Sequence, residues 1–117
     1  MTNIPEKIMI VEGLTDKKQV ETVLDDDVLV VCTNGTLGVE KFDEMLEEYD
    51  LDHKEVFILV DEDESGFKLR RQLRHELPHA VHIYVSSEYR EVATTPFDIL
   101  ATALAGRHIN VNPNFLI

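Results

Sequence analysis

Four short aliphatic runs, Lys7 to Val11, Val28 to Cys32, Val56 to Val60 and Val81 to Val85, constrain the fold of this chain more than any other feature. Each run is apolar at consecutive positions instead of alternate ones. A strand of that kind needs cover on both faces, the situation of a parallel sheet held between helical layers. The intervening segments carry helical periodicity, marked by Val20, Val23 and Leu24, by Phe42, Met45, Leu46 and Tyr49, and by Leu69, Leu73 and Leu77. Pro78 stops the third helix, because proline lacks an N–H and restricts the residue before it. A fourth helix is bounded by Thr95 as N-cap, Pro96 at its first helical position, Asp98 completing a Thr-x-x-Asp start, and Gly106 just past its end. Strand and helix alternating through short connections predict an α/β fold: a doubly wound, Rossmann-like parallel sheet of about four strands with helices on both faces. Beyond it, Ile109 to Asn112 alternates apolar and polar residues and suggests an edge strand that Pro113 limits.

The length of 117 residues suits one domain, residues 1–117, with a core over 7–85 and a C-terminal helix and tail over 86–117. No apolar run approaches the roughly 20 residues that span a bilayer, and the first residues lack the basic and apolar regions of a signal peptide, so the expectation is a cytoplasmic protein without a membrane partner. Cys32 is the only cysteine. An internal disulfide and a multi-cysteine zinc cage are thereby excluded, and Cys32 reads as a small hydrophobe ending a strand.

Charge narrows the function classes. The chain has 23 acidic and 11 basic residues, a formal net charge of −12 with histidine neutral. A protein gripping duplex DNA through many phosphate contacts shows the opposite balance, so nucleic-acid contact here has to be local, cation-assisted or supplied by a protein partner. Part of the excess is a solvated helical face built from Glu40, Asp43, Glu44, Glu47, Glu48 and Asp50.

The remaining acids fall where an open α/β sheet binds its ligands, beyond the carboxyl ends of the strands. Glu12-Gly13-Leu14-Thr15-Asp16 follows the first strand, and Asp61-Glu62-Asp63-Glu64-Ser65-Gly66 follows the third. Asp61 and Asp63, two residues apart as the chain leaves a strand, can face one crevice while Glu62 points elsewhere. Clustered carboxylates repel one another unless protonated or neutralised, and a hard divalent cation such as Mg²⁺ prefers their oxygens. The loop Thr33-Asn34-Gly35-Thr36-Leu37-Gly38 after the second strand offers hydroxyls and backbone N–H groups to a phosphate, although it also suffices as a plain turn.

Glu12-Gly13-x-x-Asp16, Gly35-Thr36 and Asp61-x-Asp63-x-x-Gly66, each closing a strand, resemble the sequential signatures of the TOPRIM domain. The resemblance covers Lys7 to Val85, and the size is similar to the stand-alone small TOPRIM proteins of bacteria; the domain also occurs in bacterial primase and in the maturase of 5S ribosomal RNA. It implies phosphodiester chemistry on RNA or DNA, as a nuclease or nucleotidyl-transfer module working with a partner. Glu12 would be the general acid or base, and Asp61 and Asp63, with Glu12, would hold Mg²⁺, for which Mn²⁺ can substitute. Asp16 matches a further acidic position of the family and equally suits a helix start facing the macrodipole. Glu91, after the fourth strand, is an additional candidate.

Lys17 and Lys18 on the first helix, and Arg70 and Arg71 on the third, with Gly35 and Thr36, are the candidate phosphate contacts; Lys68 and Arg74 extend the same charged helix. The five histidines form no ligand motif. Two other functions remain open on the residues: a non-catalytic TOPRIM interaction module in RNA or DNA metabolism, and a phosphoacceptor receiver domain with Asp61 phosphorylated and Ser86 as its sensor.

Overall fold

The structure, a computed structural model, describes residues 4–116. Its elements run β1 (Lys7–Val11), α1 (Leu14–Val23), β2 (Val28–Cys32), α2 (Val39–Tyr49), a 3₁₀ turn (Leu51–His53), β3 (Glu55–Leu59), α3 (Glu64–Glu76), β4 (Val81–Ile83), α4 (Phe97–Ala105) and a 3₁₀ turn (Pro113–Leu116). All strand pairings in the sheet are parallel, in the order β2-β1-β3-β4. Ile10 pairs with Val31 on one side and Ile58 on the other. From β1 the chain therefore winds outward in both directions, and the reversal of strand order lies between β1 and β3.

The consecutive apolar residues of the strands divide between two cores. Met9, Val11, Val30, Phe57, Leu59 and Ile83 face α1 and α4, meeting Val20, Val23, Leu100, Ala101 and Leu104. Ile8, Ile10, Val31, Val56, Ile58 and Val60 face α2 and α3, meeting Phe42, Met45, Leu69, Leu73 and Leu77. Ile8 through Val11 are each 0% exposed, which requires cover on both faces, as the run of apolar residues implies. No helix among the described residues is long and apolar enough to cross a membrane.

Four boundaries differ from the sequence expectation for local reasons. β3 and β4 end at Leu59 and Ile83, short of Val60 and Val85. At that end the Arg70 guanidinium donates to the carbonyls of Val60 (3.3 Å) and Ile83 (2.7 Å), bridging the two strand ends with a side chain in place of another backbone rung. The N-cap of α4 is Pro96, one residue later than expected. Thr95 is buried, and its hydroxyl donates to the Glu91 carbonyl at 2.7 Å, so it ties down the preceding loop instead of capping the helix. The expected tail strand reduces to one antiparallel bridge, Leu24 with Val111, before Pro113 opens the last turn.

Candidate metal centre

Glu12 leaves β1, and Asp61 and Asp63 follow β3, its neighbour across the reversal of strand order. This brings the three side chains together: one carboxylate oxygen from each lies within 4.8 Å of the others. The elements hold each acid separately. Glu12 Oε1 accepts the Asp61 N–H at 3.2 Å and Oε2 accepts the Ser65 hydroxyl at 3.2 Å. Asp61 Oδ1 accepts the Val92 N–H at 2.8 Å. Asp63 is the N-cap of α3 and accepts the Gly66 N–H at 2.8 Å, contributing about 1 kcal/mol to the helix while fixing its own rotamer. Gly66 is required by close approach: a Cβ there would collide with the backbone carbonyl of Asp61.

Among the described residues, no lysine, arginine or histidine forms an ion pair with Glu12, Asp61 or Asp63. Partial burial raises the Glu12 carboxyl above its ordinary value, and the charges of Asp61 and Asp63 raise it further against the two hydrogen bonds. Asp61 is raised by burial and then by Asp63 and Glu91, against the Val92 N–H. Convergent, half-buried carboxylates without a cationic partner fit a divalent metal ion, which supplies the missing charge and accepts hard oxygen ligands. Three protein oxygens also leave room for water or substrate in an octahedral shell.

Asp16 lies beneath this group. It is 7% exposed, accepts the Gly13 N–H at 3.0 Å, and has its carboxyl raised by burial and then by Asp61 and Glu91. It stiffens the turn that delivers Glu12, and its own ligand atoms are outside the three-residue cluster. Glu91 lines a neighbouring cavity of about 240 Å³ with Asp63, Tyr89, Arg90 and Thr94.

The proposed phosphate contacts separate. Thr36 reaches the site, lining an open cavity of about 530 Å³ beside Asp63. Gly35 takes φ +108°, and its carbonyl accepts the Thr33 hydroxyl at 2.7 Å, which shapes the turn that presents Thr36. Lys17, Lys18 and Arg71 make no ion pair with the cluster and line neither of these cavities. Arg70 is a correction: only 3% exposed, it bonds Ile58, Val60 and Ile83 carbonyls, pairs with Glu62 at 3.3 Å, donates to His82 Nδ1 at 3.1 Å and stacks 4.1 Å from the Tyr84 ring centre. Its guanidinium braces the loop carrying Asp61 and Asp63 from behind and is not free to meet a phosphate. Sequence reasoning missed Arg90, which lines both cavities next to Asp63. It sits in irregular backbone at φ +59°, where no periodicity or turn motif signals it.

The sequence model of the Toprim domain matches residues 7–87. The chain is 46% identical over 112 residues to the uncharacterized protein YusF of Bacillus subtilis (strain 168), covering 95% of this chain and 75% of that protein. Its structure superposes on that of a small TOPRIM domain protein from Bacillus stearothermophilus with a TM-score of 0.88 and 41% identity, covering 95% of this chain and 92% of the other. The described residues form four sheet strands, without the fifth after which a receiver domain carries its lysine, so the receiver alternative falls. By fold, by the spacing of its acids and by the extent of these matches, the chain belongs to the Toprim domain family.

Proposed function

We propose that this protein holds Mg²⁺ through Glu12, Asp61 and Asp63 and carries out phosphodiester chemistry on an RNA or DNA strand, as a nuclease or nucleotidyl-transfer module. The observation that carries the reading is the convergence of three carboxylates, without a cationic partner among the described residues, from two separate strand ends within 4.8 Å. Toprim domains are Mg²⁺-binding modules of nucleic-acid enzymes, which supports the same choice of ligand. When bound, the cation would neutralise charge on a phosphate and favour deprotonation of an attacking hydroxyl. The chain's own residues supply the rest. Glu12, its carboxyl raised toward neutrality, is suited to take up or release a proton at the sugar oxygen. Asp61 and Asp63 are oriented before substrate arrives, by the Val92 N–H and by the first turn of α3.

The net charge of −12 limits the surface available to a polyanion, so the reading includes a protein partner that supplies further contacts, and a cytoplasmic setting. The same charge favours, as a second reading, a non-catalytic module that keeps the shape and the cation. A screen of single-stranded, duplex and structured RNA and DNA, with Mg²⁺ or Mn²⁺, separates the two. Cleavage lost in Glu12→Gln and Asp61→Asn supports the enzyme. Binding without turnover on every substrate supports the module, and absence of cation binding at millimolar Mg²⁺ rejects both.

A further inference from the structure

The segment from Ser86 to Thr94 is docked against the acidic loop by hydrogen bonds at Arg90 itself and at Val92. The Arg90 carbonyl accepts the Glu62 N–H at 2.6 Å, and two residues on, the Val92 N–H donates to Asp61 Oδ1 at 2.8 Å. Arg90 is thereby fixed relative to Asp61 and Asp63 although its side chain is exposed and makes no ion pair among the described residues. Arg90 lines the open cavity of about 530 Å³ together with Thr36, Asp63, Glu64, Ser65 and Lys68. It also lines the cavity of about 240 Å³ on the other side, which shares Asp63. Lys68 is held only by an exposed contact to Glu64 at 3.8 Å, a pair weak enough in water to exchange for another anion.

From this placement we infer that Arg90 and Lys68, with the hydroxyl of Thr36, seat a backbone phosphate of a single nucleic-acid strand beside the metal centre. The inference rests on the proposed function and names the part of the substrate held there. One guanidinium, one ammonium and one hydroxyl match a single phosphate, and the surrounding charge of −12 offers nothing comparable to a longer duplex footprint. Because Asp63 and Glu64 share the cavity, a phosphate is repelled until a cation neutralises the acids, so strand and cation bind with positive coupling, each tightening the other by the same factor.

The test measures strand binding by fluorescence anisotropy of a 3′-labelled single-stranded oligonucleotide, as a function of salt, and Mn²⁺ occupancy by electron paramagnetic resonance on the same samples. Arg90→Gln with Lys68→Gln is expected to weaken the strand at least tenfold and to flatten the salt slope by about 0.7, the value for one lost single-strand phosphate contact. Mn²⁺ occupancy without the strand and the melting temperature stay at wild-type values, and Arg90→Lys keeps the slope. Wild-type affinity and slope in the double variant overturn the inference, while loss of Mn²⁺ in Asp61→Asn leaves the proposed function standing. Inorganic phosphate or a mononucleotide competing at the strand's own affinity also overturns it. Should the wild type bind no Mn²⁺, the proposed function falls, and the seat is judged on strand binding alone: weaker binding in the double variant upholds it, and unchanged binding rejects it.

Discussion

Gly66→Ala tests whether the first turn of α3 is pressed against the metal loop. In an ordinary helix this change is favourable, since alanine exceeds glycine by about 1 kcal/mol in helical propensity. Here the new methyl would meet the carbonyl of Asp61, a backbone atom tied into the loop and unable to swing aside as a side-chain tip would. Overpacking of this kind costs about 1–3 kcal/mol, and contact with backbone places it toward the upper end. Less the gain in propensity, the net loss is about 2 kcal/mol, or roughly 6–10 °C in melting temperature for a chain of this size. Gly106→Ala is the control, because that residue has helical φ of −64° and a Cβ there would stand an ordinary 3.4 Å from the Thr102 carbonyl; it should stabilise by about 0.5 kcal/mol. Urea denaturation followed by circular dichroism gives both numbers. Because relief of the clash displaces Asp61, Mn²⁺ affinity should fall in Gly66→Ala and not in Gly106→Ala. A stabilised Gly66→Ala protein with unchanged Mn²⁺ affinity would refute the close approach and the role assigned to it.

Asp63→Ser separates capping from charge: serine still accepts the Gly66 N–H, so stability should change by less than about 0.5 kcal/mol, while calorimetry should record at least tenfold weaker Mg²⁺ binding. Protons compete with the cation for Glu12 and Asp61, whose carboxyls are raised above 4.5 and 3.8 respectively. Their folded forms therefore favour the proton, and the rise in melting temperature on adding Mg²⁺ should grow as pH increases from about 5 to about 7.5; a rise independent of pH would count against these ligands. The pKa of His82 is shifted the other way. Burial, then Arg70 and Arg74, lower it to about 4, so the unfolded chain takes up protons first and stability is lost as pH falls from 6.5 toward 4. With partial exposure the loss is about 1–2 kcal/mol, and cation-free His82→Gln should lack that portion of the acid-induced drop seen by denaturation across the same pH range.

The helical period of α3 already contained the placement of Arg70. Gly66, Leu69, Arg70 and Leu73 are its buried residues, and they fall on one helical stripe, so position 70 faces inward whatever residue occupies it. Its charge suggested solvent and phosphate; what decides instead is the pair of strand-end carbonyls and Glu62, which take the Nη2 hydrogens of the buried guanidinium and leave its Nε without a partner among the described residues. The strands β1 and β2 were legible to the residue because runs covered on both faces have sharp polar borders. The meeting of Glu12 with Asp61 and Asp63 followed from strand order alone, since ligands gather where that order reverses. Arg90 and the Val92 N–H were not legible, because a loop that belongs to neither period is placed by long-range hydrogen bonds that no local pattern encodes.

The family match ends at residue 87, whereas the N–H that orients Asp61 belongs to Val92. A fragment cut at the edge of the match would keep all four strands and all three acids. It would lose the clasp on Asp61 and the loop that carries Arg90, and with its inner face stripped of Leu100, Ala101 and Leu104 it would expose the apolar side of the sheet. The segment by which kinship is recognised is thus smaller than the segment that must be inherited together for the site to work, and a fusion or excision respecting only the former would transmit the ligands without their geometry.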